Sequence, residues 1–234
     1  MYRSTSNVFL SQPIAEHFDP DLVQRFDLGT VVTGVDPYWG SGTFVYGKAG
    51  AAITAIGRLS MPDQAMLFGD VPNTVGTGFP VFINIYPMAI GEFGWFQAAG
   101  NMIMQAASAV AADAVFGVAA AGQAGAIANG KQILGARCRL PVTTTVAKTN
   151  CIVAPGGRLK DIVVPGIEGW FHGVTLSGTG IPASSTVTAI NPSRHVVTMS
   201  GDATAAGQNV TVTATYTGFI VAFCNNPHVQ GQVV

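Results

Sequence analysis

The chain has 234 residues, with 11 Lys or Arg and 12 Asp or Glu, giving a formal net charge of -1. Charged residues make up only 10% of it, against roughly 25% in ordinary globular domains; the hydrophobic share is an ordinary 48%. This excludes a charge-rich disordered chain and any general cationic field for nucleic acid, and it predicts packing against copies of the chain or a fixed partner.

The N-terminus, MYRSTSNVFLSQP, has one Arg and no long apolar run. It is not read as a secretion signal, so folding in a reducing cytoplasm is expected. Residues 1–30 carry six charges (Arg3, Glu16, Asp19, Asp21, Arg25, Asp27) and no strong periodicity. They are expected to form an extended arm, either frayed or pinned on a neighbour. Residues 31–60 hold Val, Thr, Phe and Tyr runs broken by DP, WGSG and GKAG. Such runs predict short strands and hairpins. Four prolines in 61–87 (Pro62, Pro72, Pro80, Pro87) predict loops around one apolar strand, Phe79 to Tyr86.

From Met88 to Leu140 there is no proline, but there are sixteen alanines and eight glycines. Ile103, Ala107, Val110, Ala114 and Val118 fall at helical spacing, whereas Met102, Met104 and Ala106 alternate like a strand. Periodicity leaves 100–120 open between the two. Asp113 and Gln123 lie inside the most apolar window, 106–128, so membrane insertion is not expected. Further on, TVTAI (186–190), VVTMS (196–200) and NVTVTATYT (209–217) alternate β-branched and small residues, with NPSR and GDATAAGQ between them. These predict antiparallel strands in a β-sandwich-like module over 141–218. The fold class read from the chain is mainly β. A β-rich core domain, 31–140 plus 219–234, carries an arm, 1–30, and the inserted module.

Charge is split along the chain. Residues 1–130 hold nine acids and four bases, and residues 131–234 hold three acids and seven bases. Arg137, Arg139, Lys148, Arg158 and Lys160 follow one another with no acid among them. Acidic and basic patches either neutralise each other within one subunit or meet across an interface and fix its register.

No constellation of catalytic residues emerges. There is no GxxxxGK[ST] phosphate loop, no GxGxxG and no GxSxG elbow. Cys138, Cys151 and Cys224 have no CxxC spacing and read as buried thiols. His17, His172, His195 and His228 share no HxH or HExxH spacing. His17, Asp19 and Asp21 form the one tight group of ligand types, without the twelve-residue calcium loop. The expectation is a non-enzyme with no metal and no cofactor. Tyr38-Trp39, Phe93 with Trp95-Phe96, and Trp170-Phe171 sit beside glycines, as core anchors or interface anchors. Tyr38, Trp39, Trp95, Phe96, Arg137 and Arg139 are the candidate interface residues.

In order, FDLGTVVTGVDPYWGSGTFVYGKAGAAITAIGRLS (26–60), GEFGWFQAAG (91–100), AGQAGAIANGKQILGARC (121–138) and FCNNPHVQGQ (223–232) resemble the head decoration, or cement, proteins of tailed bacteriophages. Asn226-Pro227 stands where that family closes on Arg-Pro. Residues 141–218 lie outside the pattern and resemble a β module widespread in phage virion proteins. The resemblance implies a structural protein on the outer capsid surface, made in the host cytoplasm. Its partners would be the major capsid protein and itself, as a homotrimer at junctions between capsomers. It implies no nucleic acid, membrane or small-molecule substrate, and it brings no catalytic residues. The alternative is a tail-associated or adhesin-like glycan-binding module, with Trp170, Phe171 and Tyr216 as a stacking site.

Overall fold

The computed structural model describes residues 20–36, 40–141, 145–167, 170, 173–191, 194–215 and 218–231. The fold is mainly β, and the chain divides into two compact units, 1–142 with 218–234 and 143–217.

Ten strands belong to the first unit. They are β1 (Val31–Asp36), β2 (Gly40–Ala49), β3 (Leu59–Pro62), β4 (Leu67–Asp70), β5 (Phe82–Asn84), β6 (Phe93–Gln105), β7 (Gly117–Ala120), β8 (Gln123–Gly125), β9 (Ile133–Leu140) and, after the second unit, β16 (Phe219–Val229). Eight of them form one sheet in the order β1-β2-β4-β3-β5-β6-β16-β9, and β2 also pairs with β6. That extra pairing closes the circuit β2-β4-β3-β5-β6 into a small five-stranded barrel, which leaves those strands no open edge. From it β1 extends on one side and β16 and β9 on the other.

Successive residues of a strand face opposite sides, and β6 is covered on both. Phe96 stacks on Phe68 with centroids 3.7 Å apart and planes 9° apart; Ala49, Ile53 and Met88 complete this cluster. On the other face, Trp95 packs with Val32, Phe44 and Tyr46. Trp95 and Phe96 are therefore core residues of their own chain, and the expectation that they face a partner is corrected. Burying an aromatic of this size contributes about 1.5–3 kcal/mol, enough to hold such side chains inward.

The stretch left open between helix and strand continues β6 to Gln105 and resumes as β7 at Gly117. Met102 and Met104 are fully buried in the largest cluster, with Ile83, Cys138, Ala222 and Cys224. Alternation prevailed over alanine's helix preference because these positions complete a sheet face that buries the two methionines.

Residues 20–30, expected within the extended arm, run against their own barrel. Asp21 and Phe93 exchange backbone hydrogen bonds of 2.8 and 2.9 Å. The Arg25 amide donates to the Tyr46 hydroxyl at 3.1 Å. Phe26 packs against Tyr46 and Trp95, both at 5.3 Å between centroids. The remainder of the expected arm, 1–19, lies outside the described residues.

The second unit contains β10 (Thr145–Val153), β11 (Asp161–Val163), β12 (Thr175–Gly178), β13 (Val187–Asn191), β14 (Val196–Met199) and β15 (Gly207–Thr215). They form one sheet in the order β12-β15-β10-β11-β14-β13. Its two ends meet at a Thr175–Thr186 bridge, where Leu176 donates to Ser185 at 2.7 Å and Val187 to Val174 at 2.9 Å. The module expected as β-sandwich-like is built from one six-stranded sheet that closes on itself at this bridge. Inward positions carry Cys151, Val153, Ile162, Leu176, Val197, Met199, Val212 and Ala214, with Trp170 fully buried.

Candidate functional site

Strand β16 lies between β6 and β9, with Phe223 directly opposite Asn101 on one side and Arg137 on the other. The strand's inward residues, Ala222 and Cys224, are buried. Phe223 points the other way and is 43% exposed. The Arg139 guanidinium lies over its ring, 5.6 Å from the centroid. Contacts of this kind contribute about 0.5–1 kcal/mol at an exposed site. Arg137 donates through Nη1 to the Asp113 carbonyl at 3.1 Å. The Arg139–Asp113 carboxylate approach is long, 3.8 Å, and well exposed, so it neutralises Arg139 little. Leu140 is also exposed and continues the patch toward Val221.

The sequence brings these groups together by alternation. In ARCRL, Ala136 and Cys138 face the core while Arg137 and Arg139 face outward. Beside them, Val115, Leu134, Ala136, Arg137 and Phe223 help line a shallow groove of about 290 Å3. The far edge of β9 is capped, since Cys138 donates to Ala114, Asp113 to Cys138 and Ile133 to Phe116, each at 2.9 Å. Strand addition is therefore blocked there, and the face can act only through its side chains. Two arginines flanking an aromatic ring suit a surface that carries carboxylates and apolar atoms.

Of the six expected interface residues, Arg137 and Arg139 come together on this face. Trp95 and Phe96 are buried elsewhere in the unit, and Tyr38 and Trp39 lie outside the described residues. Phe223 and Val115 were missed. The outward phase of β16 marks Phe223, but only once Ala222 and Cys224 are assigned to the core. Of the expected glycan-stacking residues, Trp170 is fully buried, so it cannot stack on a sugar; Phe171 and Tyr216 lie outside the described residues.

The thiols serve packing. Cys224 is buried, and desolvation pushes its pKa from the ordinary 9.0 up to about 12. Cys138 is raised by burial and then by the Asp113 charge. Burial also raises Cys151, against a smaller lowering by the Val212 backbone and Lys148. Among the described residues, no three His, Cys, Asp or Glu side chains converge on a point that could hold a metal. Asp21, from the ligand-like group in the sequence, pairs with Arg25 at 2.6 Å. Among the described residues, no helix is long and apolar enough to cross a membrane. In comparisons with known proteins, no family model, curated protein or solved structure matches this chain.

Proposed function

We propose that this chain is a structural virion protein that decorates a bacteriophage capsid. It binds the outer surface between capsomers as a homotrimer and stabilises the shell without catalysis. The observation that supports this reading most is the outward Arg139–Phe223–Arg137 face, carried by the paired strands β9 and β16 beside the barrel, where the Asp113 carboxylate approaches Arg139 only to 3.8 Å. A shell surface repeats one small contact many times by symmetry, so a compact cationic and aromatic face suffices at each point. Few other charges must lose water on contact, which keeps the desolvation cost low. The inserted unit leaves the barrel after Leu140 and returns before Phe219, near the paired residues Leu140 and Val221. An insertion at the end of two adjacent strands leaves the barrel's pairing intact. The test is co-sedimentation of the purified chain with bare capsid shells; reversing both arginines (Arg137→Glu, Arg139→Glu) is expected to abolish it.

A second reading keeps the inserted unit as a glycan-binding surface. It is favoured by cross-strand hydroxyl neighbours, Thr145–Thr215–Thr175 across three strands and Thr213–Ser177 across two. A glycan array run with the full chain separates the readings, because shell binding requires no sugar affinity.

A further inference from the structure

We propose that Leu22 and Val23 of one copy seat in the groove beside Val115 and Phe223 of the next copy, making a head-to-tail contact that closes into a ring. This deepens the homotrimer proposed above and rests on that reading only for the number of copies; the knob takes the Val115–Leu134 part of the groove and leaves Arg139, which is not among the groove's lining residues, open to the shell.

Leu22 and Val23 are 82% and 74% exposed, more than any other large hydrophobic among the described residues. They are also held in place. On one side Asp21 is bonded both ways to Phe93, and on the other Phe26 is packed against Tyr46 and Trp95. An apolar knob fixed in advance loses little freedom on binding, which favours contact.

The groove offers the matching chemistry. Val115, Leu134 and Phe223 reach it from partly or well exposed positions, Gln132 and Arg137 also line it, and Arg139 lies nearby over Phe223. The knob's own segment carries Asp21 and Asp27 against the single base Arg25. Acid-flanked knob and base-rimmed groove are complementary, which sets the orientation of the contact.

A chain cannot fill its own groove. Leu22 sits beside Phe93 at the start of β6, while the groove lies beside Phe223, opposite Asn101. Eight residues of strand separate those points, roughly 25 Å. Knob and groove are different surfaces, so the contact is heterologous, and repeating it makes a ring when the rotation closes.

The test uses the full chain in sedimentation equilibrium at tens of micromolar. The unaltered chain is expected at the mass of a closed ring of three. The knob variant (Leu22→Asp, Val23→Asp) and the groove variant (Val115→Asp) are each expected to fall to the mass of one chain, with unfolding midpoints matching the parent. An equimolar mixture of the two should give two-chain complexes, because one intact knob still meets one intact groove. Leu22→Ser with Val23→Ser repeats the test if the aspartates lower the midpoint. A single-chain mass for the unaltered protein overturns the contact, as does a ring that survives in the variants or a mixture with no pairing. A knob that shells protect while the free chain stays single assigns that surface to the capsid and also overturns it. No shell enters the sedimentation measurement, so its failure is distinguishable from failure of shell binding.

Discussion

Gly47 lies directly against the ring of Phe68: a Cβ added at Gly47 would stand 2.2 Å from Cε2 and 2.4 Å from Cδ2 of that ring. The Phe68 ring is itself stacked on Phe96 and meets Phe82 edge-on, with centroids 5.4 Å apart and planes at 84°. It has no room to retreat. Gly47→Ala should therefore destabilise the chain by about 1–3 kcal/mol, the usual cost of overpacking a filled core. Urea unfolding at neutral pH measures this; an unchanged midpoint would show that the ring has another place to go.

Arg58 ties the β7–β8 hairpin to the barrel. It forms an ion pair with Asp70, donates to Gln105 Oε1 at 3.2 Å and donates to the Ala121 carbonyl at 2.8 Å. The Arg58 and Asp70 side chains are 15% and 29% exposed, so water compensates only partly when one is removed. Arg58→Ala is expected to cost about 2 kcal/mol, below the range for fully buried pairs. Its more specific effect should be faster amide exchange at Gly122, whose N–H donates to Val71 at 2.9 Å. Exchange that rises equally across all strands would instead mean a global effect.

Stability should fall on the alkaline side. The Cys224 thiol ionises near 9.0 when unfolded and near 12 when folded. Between those values the unfolded state has lost a proton that the folded state keeps. The contribution is thus complete below about pH 9 and is lost as pH rises toward 12. Burial raises Tyr46 as well, partly offset by the Arg25 amide, and acts in the same direction above its ordinary 10.0. Each such group can lower stability by at most ~1.4 kcal/mol per pH unit. Cys224→Val should flatten the slope of unfolding free energy between pH 9 and 11; an equal slope in the variant would assign the effect elsewhere.

Tyr46→Phe removes the acceptor for the Arg25 amide while leaving the ring contacts with Phe26 and Trp95. A hydrogen bond of this kind contributes about 1 kcal/mol. Exchange at the Arg25 amide should quicken roughly five-fold, with little change in the β2–β6 pairing. Limited proteolysis would then cut first within 20–28, and a first cut elsewhere would argue against this anchoring.

Legibility in the sequence followed alternation. Strands β13, β14 and β15 fall within a few residues of where β-branched alternation and turn residues put them. The apolar run from Phe79 to Tyr86 contains only the three-residue β5, because Pro80 and Pro87 limit pairing on either side. Adjacent Trp95 and Phe96 are buried on opposite faces; that two-sided covering arises from Phe26 and Phe68, far away in sequence. The six charges of 1–30 masked the anchoring role of Phe26. The Arg58 network was invisible for a related reason: its partners lie 12, 47 and 63 residues away. Arg137 and Arg139 were found because they open a run of five bases with no acid among them. Phe223 was not, since its chemistry alone suggests burial.

Capsid coating, as proposed above, can be observed directly. The most direct measurement is electron cryomicroscopy of bare, expanded shells incubated with the purified protein. The expected density lies on the outer surface at junctions between capsomers, in groups of three, with Arg139 facing the shell. The same shells should unfold at a higher temperature when decorated. Bare shells at micromolar protein, or density confined to a tail, would contradict it.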